Sequence, residues 1–374
     1  MARLPSISVR GAVLEAVSEP VVVTDLELIE PRAGEVRVRM LASGVCHSDL
    51  HVRDGEWDRP TPIVLGHEGA GIVEAVGPGV DSPTVGQLVA LSWLIPCGIC
   101  RSCRRGHIWA CPDSPSYRHA LLDGTAPFHR AGEPIRAYCA ISTMAEAAVV
   151  PAAAAIPVPE GTDPAVAALI GCCVTTGVGA VLKTAAVPAG ASVAVIGLGG
   201  VGLSCVMGAV VAGASRIVAI DRVEAKLDAA RAVGATDTLL AGDDVPATIE
   251  ALRDLTDGGP DFVFEAIGRV DTAELAIAAL PLGGTAVLVG MTPLGARAAF
   301  DVYPFVDGSR RILGSNYGFA EPAIDFPRYA SWTLDGRLPV ERLIDRRIGL
   351  DDVEDAFAAM RRGEFTRQVI EFAG

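Results

Sequence analysis

Aromatic residues are scarce in this 374-residue chain, at 5%, and charged residues make up only 20% of it. Basic residues are the scarcer sign: 31 Lys and Arg stand against 45 Asp and Glu, a formal net charge of −14. A field of that sign repels phosphate backbones and anionic lipid, which excludes a general binder of nucleic acid or membrane surfaces. Disorder is excluded as well, because half of the residues are hydrophobic. The opening MARLPSISVRGAVLEAVSEP lacks a basic segment followed by an apolar core and a small-residue cleavage site. Apolar runs such as 165–181 contain Gly, Thr and Cys and fall short of a membrane span. These absences predict a soluble, cytoplasmic protein. Glycine (41) and proline (25) are plentiful, which suits many turns and closely packed α/β elements. The length fits two domains.

Residues 1–95 read as rich in strands and turns. EVRVRMLA (35–42) alternates charged and apolar residues as a half-buried strand does, and GIVEAV (71–76) ends at Gly77-Pro78-Gly79. Residues 97–135 read as a long irregular loop, which needs a function or a staple. A small, apolar stretch, 165–183, predicts a buried helix. From Ser192 short apolar strands alternate with helical stretches: SVAVIG, RIVAID, DFVFEAIG and TAVLVGM. That alternation predicts a doubly wound parallel sheet. It stops near residue 316, after which a helical stretch (350–362) and a last strand (367–372) close the chain.

Gly197-Leu198-Gly199-Gly200-Val201-Gly202 fits G-x-G-x-x-G between a strand and a helix. Such a turn brings the backbone close to a pyrophosphate at the helix N-terminus. Asp221 ends the next strand, 19 residues beyond Gly202, where a carboxylate bonds ribose hydroxyls and repels a 2′-phosphate. NAD is therefore favoured over NADP, with Arg222 partly offsetting the repulsion. The turn alone also fits a structural connection without nucleotide.

Nine cysteines without an export signal point to metal more than to disulfides. Cys97, Cys100, Cys103 and Cys111 place four soft ligands in one loop, enough to close a tetrahedron around Zn²⁺ with no open position. An iron–sulfur cluster uses the same ligands, and a zinc ribbon is the third reading. Cys46, in GVCHSD, and His67-Glu68, in GHEGAG, each have bland readings when taken singly.

Taken together with the glycine turn, these motifs resemble the zinc-dependent medium-chain alcohol dehydrogenases, over essentially the whole chain. Gly66-His67-Glu68-x2-Gly71-x5-Gly77-x2-Val80 matches the family's zinc signature. The resemblance implies a β-rich GroES-like catalytic domain (1–173, resuming at 316–374) around a Rossmann NAD-binding domain (174–315), with the active site in the cleft between them. It implies two zinc ions per chain: a structural one in the four-cysteine loop, and a catalytic one on Cys46, His67 and Cys172. Cys173 stands where the family more often has glycine. The resemblance further implies that Ser48 and His51 move the proton, that Asp49 orients His67, and that Glu68 modulates the metal. His47 and Arg367 match pyrophosphate positions, Lys226 one near the adenosine ribose, and Thr176 and Val201 the nicotinamide lining. His107, His119 and His129 match nothing and read as surface loop histidines.

The long loop from Cys111 to Ser142 resembles the dimeric, class III-like branch, so a homodimer is expected. Trp57 and Trp93 resemble pocket tryptophans that favour slim primary or flat aromatic alcohols. The implied function is reversible oxidation of a primary alcohol to an aldehyde. A thiol-adduct formaldehyde dehydrogenase or a specialised-metabolite reductase is the enzymatic alternative. An NAD-binding zinc protein without turnover is the non-enzymatic one.

Overall fold

The computed structural model describes residues 6–373. The chain forms two compact units: residues 1–172, 321–336 and 344–374 in the first, and 173–320 with 337–343 in the second.

The first unit is organised by one long strand, Glu35–Val45. Its alternation works as read: Val36, Val38 and Met40 are fully buried, while Arg37 and Arg39 reach outward to Glu30 and Glu74. It pairs antiparallel with Gly69–Val76 and Ala147–Pro151, and its last residues pair with Arg367–Glu371, Gln368 lying opposite Val45. A second sheet closes into a barrel from Ser6–Leu14, Val22–Ile29, Phe128–Arg130, Glu133–Ala137 and Ile63–Val64. The stretch 97–135 is therefore not one irregular loop: it holds short helical turns and barrel strands. Segments of three to five residues are too brief to show periodicity.

In the second unit six parallel strands run in the order Asp237–Leu240, Arg216–Asp221, Ser192–Ile196, Phe262–Glu265, Thr285–Leu288, Arg311–Gly314. Inner strands covered on both faces need apolar residues at successive positions, which SVAVI and RIVAID supply. The edge strands Asp237–Leu240 and Arg311–Gly314 have no buried residue and so carry no apolar run to be recognised. Strand order reverses at Ser192–Ile196, and the glycine turn follows that strand's carboxyl end.

The helical segment 164–184 starts with Pro164, and Asp163 caps it by accepting from the Ala165 and Val166 amides. Two π-helical stretches, Ile170–Val174 and Ala180–Thr184, interrupt it. By length and composition it would cross a membrane, but it is mostly buried inside the fold. The unit boundary falls within it, between Cys172 and Cys173. The second unit also runs on to Ala320 and takes in 337–343, where Arg342 donates to the Ala232 carbonyl at 2.5 Å.

The third glycine of the turn is a packing requirement. A Cβ on Gly202 would stand 1.7 Å from the Gly197 carbonyl oxygen. Gly202→Ala is expected to push the helix off its strand and to cost roughly 1–3 kcal/mol. Chemical denaturation measures this, and an unchanged midpoint would contradict the close approach.

Candidate metal centre and nucleotide turn

The strand Glu35–Val45 delivers Cys46 to the N-terminal end of the helix His47–Arg53. The segment between Ile63–Val64 and Gly69–Val76 carries His67 and Glu68, and the first π stretch of the long helix carries Cys172. One ligand atom from each of Cys46, His67, Glu68 and Cys172 lies within 4.8 Å of the others. None of the four is more than 9% exposed. Cys172, not Cys173, joins this group, although both are buried.

Asp49, wholly buried one turn along the helix, organises the imidazole. Its Oδ1 accepts from the Gly66 amide at 3.0 Å and from His67 Nδ1 at 3.1 Å. A carboxylate can only accept, so Nδ1 carries the proton and Nε2 presents a lone pair. That buried Nε2 has no hydrogen-bond partner among the described residues. Leaving it unsatisfied costs about 1–3 kcal/mol, and a metal ion beside two thiols removes that cost. Two sulfurs and one imidazole form a donor set suited to zinc. Burial opposes charge on His67, but Asp49 and Cys46 outweigh it and raise its pKa well above the usual value, so the surroundings favour a positive charge at Nε2, which a metal ion would supply in place of a second proton. The hydrogen bond from Cys172, with His67, holds the Cys46 thiol well below its usual value despite burial. That direction suits a sulfur able to serve as a thiolate donor.

Glu68 faces a second partner. Arg367, 5% exposed, forms an ion pair with its carboxylate. The register of Arg367–Glu371 against the end of Glu35–Val45 creates this contact, and Gly44 makes room for it. A Cβ on Gly44 would stand 2.1 Å from Glu68 Oε2. Arg367, matched in sequence to a pyrophosphate position, is thus buried against Glu68.

The four loop cysteines form a second group. Their sulfurs are 4.0 Å apart for Cys97 and Cys103 and 3.9 Å apart for Cys100 and Cys111. A tetrahedron with zinc–sulfur bonds of ordinary length has edges of roughly 3.8 Å. A multi-iron cluster, larger than one ion, would hold the sulfurs further apart. Backbone amides point at the sulfurs: Cys100 N–H at Cys97, Cys103 N–H at Cys100 and Cys97 N–H at Cys111. The Cys103 amide leads in drawing the Cys100 thiol down to about 7.

Around His51, the Nδ1 nitrogen lies 2.7 Å from Glu56 Oε2, and the Trp57 ring lies 4.8 Å away. Glu56 was not singled out from the sequence, where its only signal is its place just past the helix end. The structure places Ser48 half-buried and His47 exposed on the same helix. Trp57 is buried in the cluster with Leu50, Ile63 and Tyr138, whereas Trp93 packs, partly buried, on the barrel core.

The reading of His119 as a surface histidine is corrected. It is 5% exposed, stacks on Tyr138 at 5.5 Å, and accepts the Cys139 amide at Nδ1. Tyr138 in turn meets His67 edge-on at 5.6 Å. Burial first, then Arg59 and Arg136, press the His119 pKa down to about 4.

At the nucleotide turn, Asp221 Oδ2 accepts from the Leu198 amide at 2.8 Å, while Oδ1 accepts from the Arg222 and Val223 amides. The acid therefore stands at the glycine turn itself. Arg222 points to Asp243, with which it forms an exposed ion pair. Thr176 and Val201 lie half-exposed on two helices, Thr175–Gly179 and Gly200–Ala212, that pack together. Lys226 is half-exposed on the helix Glu224–Ala232.

Residues 32–160 match the alcohol dehydrogenase GroES-like domain, and residues 200–334 match the zinc-binding dehydrogenase family. An alcohol dehydrogenase zinc-binding domain protein from Burkholderia ambifaria is 36% identical, with a TM-score of 0.94, over 99% of this chain and 100% of that one. Benzyl alcohol dehydrogenase from Acinetobacter calcoaceticus is 31% identical, with a TM-score of 0.92, over 98% and 100%. A zinc-binding dehydrogenase from Sinorhizobium meliloti 1021, bound to NADP, is 27% identical, with a TM-score of 0.82, over 98% and 100%.

Two measurements check this chemistry. His119, with its folded pKa below the ordinary 6.5, binds fewer protons folded than unfolded. Its contribution is present above about pH 6.5 and is lost as pH falls toward 4, by about 3 kcal/mol at most. His119→Asn, which tolerates the positive φ of 54° there, should flatten the acid limb of stability against pH; an unchanged slope would assign that limb elsewhere. Elemental analysis should find about two zinc ions per chain and about one in Cys46→Ser; retention of both would remove Cys46 from the ligand set.

Proposed function

Because the chain belongs to the zinc-dependent medium-chain alcohol dehydrogenase family, we propose that it oxidises a primary alcohol, small or aromatic, to the aldehyde by reversible hydride transfer to NAD. The observation that carries this reading is the buried donor set of Cys46, His67 and Cys172, with Glu68 drawn toward Arg367. Cys46, His67 and Cys172 would hold an ion open to substrate, whereas the four loop cysteines would enclose one and stabilise a segment. When bound, the zinc supplies a Lewis acid for the alcohol oxygen, and the nicotinamide supplies the hydride acceptor.

The chain's own residues do the rest. Asp49 keeps His67 in the tautomer that presents Nε2. Ser48 offers a hydroxyl one residue from Asp49, and His51, its side chain 23% exposed, offers an imidazole that can exchange a proton with solvent. Asp221 at the glycine turn favours ribose hydroxyls over a 2′-phosphate, and Arg222, the nearest cation in sequence, is engaged by Asp243. His47 and Arg367 are the candidates for the cofactor's pyrophosphate, and Lys226 for its adenosine ribose. The likeness to benzyl alcohol dehydrogenase, with the buried Trp57 indole beside His51, makes flat aromatic alcohols the first substrates to try.

NADH absorbance followed across aliphatic and aromatic primary alcohols, with and without added thiols, tests the proposal. Turnover is expected without thiol and is expected to vanish in Cys46→Ser with the fold intact; activity only with thiol would transfer the assignment to an adduct enzyme. Asp221→Ala should move the preference from NAD toward NADP by about ten- to a hundredfold, the worth of a charged hydrogen bond. An unchanged ratio would contradict the role given to Asp221.

A further inference from the structure

After the helix His47–Arg53 the chain folds back on His51. The amides of Glu56 and Trp57 both donate to the His51 carbonyl, at 2.9 and 3.2 Å. This anchoring brings Glu56 Oε2 to 2.7 Å from His51 Nδ1 and sets the Trp57 ring 4.8 Å from the imidazole, tilted by 32°. Trp57 is itself fixed in the apolar cluster, 8% exposed. His47, its ring 6.4 Å from His51, and Arg59, its guanidinium 5.9 Å from the Trp57 ring, also face this corner.

We propose that Glu56 is the positioning residue of His51. A neutral imidazole has one donor and one acceptor nitrogen, and a carboxylate can only accept. Glu56 therefore holds the proton on Nδ1 and leaves the Nε2 lone pair free for the proton that the alcohol loses. When Nε2 takes that proton, the carboxylate faces the positive charge that forms, until solvent removes the proton. Asp49 likewise holds the Nδ1 proton of His67, so this helix contributes one member to each of two carboxylate–imidazole pairs. The proposal rests on the reading of His51 as the proton acceptor, and Glu56 acts only through it. Because Glu56 is 43% exposed, the pair contributes little to stability, and its removal is expected to leave the fold intact.

Imidazole nitrogen NMR of the full-length protein labelled with ¹⁵N-histidine tests this without turnover, His51→Gln identifying the signal. The wild type should show the Nδ1–H tautomer, Glu56→Ala should move toward Nε2–H, and Glu56→Gln should keep Nδ1–H because its amide oxygen accepts the same bond. An Nε2–H wild type, or a Glu56→Ala spectrum identical to the wild type, overturns the proposal. In steady state, Glu56→Ala should lower kcat on the order of tenfold at unchanged KM, with Glu56→Gln restoring most of it. His51→Gln separates the two ideas. If it leaves kcat unchanged, the reading of His51 fails; if it slows turnover while Glu56→Ala does not, the Glu56 proposal alone fails.

Discussion

An imidazole buried among thiols can present one nitrogen to a metal only if its other nitrogen is held, and in this protein the hold is the Asp49 carboxylate. Asp49 is wholly buried, so it needs partners, and it finds them in the Gly66 amide and His67 Nδ1. Both lie on the segment before Gly69–Val76, while Asp49 itself stands three residues after Cys46. One hydrogen-bonded carboxylate thus fixes the distance between two parts of the chain that carry Cys46 and His67. Half-buried positions of the same helix carry Ser48 and His51.

The sheet beneath this helix supplies the second restraint. Pairing of the C-terminal strand with the end of Glu35–Val45 brings Arg367 to Glu68, across about 300 residues of sequence. A buried carboxylate beside two thiols would otherwise compete for the metal or stand as an uncompensated charge. Its partner guanidinium resolves both difficulties, and Gly44 is the residue small enough to admit the pair. In the other unit, one carboxylate again does the organising: Asp221 ties the end of its strand to the glycine turn through the Leu198 amide.

Much of this was legible in the sequence where the chemistry is local. The four-cysteine loop needs ligands a few residues apart, and the glycine turn needs its glycines within six, so spacing alone exposes both. The inner parallel strands show as apolar runs because both their faces are covered. By contrast, the edge strands Asp237–Leu240 and Arg311–Gly314 left no such mark, being unburied. The resemblance supplied Cys46, His67 and Cys172, which no local spacing connects.

Sequence by itself determined the alternation of elements, the four-cysteine motif and the glycine turn, since each is set by neighbouring residues. Tertiary structure decided which polar groups are buried and what they meet. It placed Arg367 on Glu68, put Cys172 rather than Cys173 beside Cys46 and His67, buried His119 behind Tyr138 and His67, and brought Glu56 to His51. Burial and partnership depend on segments distant along the chain or on the exact path of a turn. The free energy of a charge or a hydrogen bond is set by that surrounding, not by the residue's own identity.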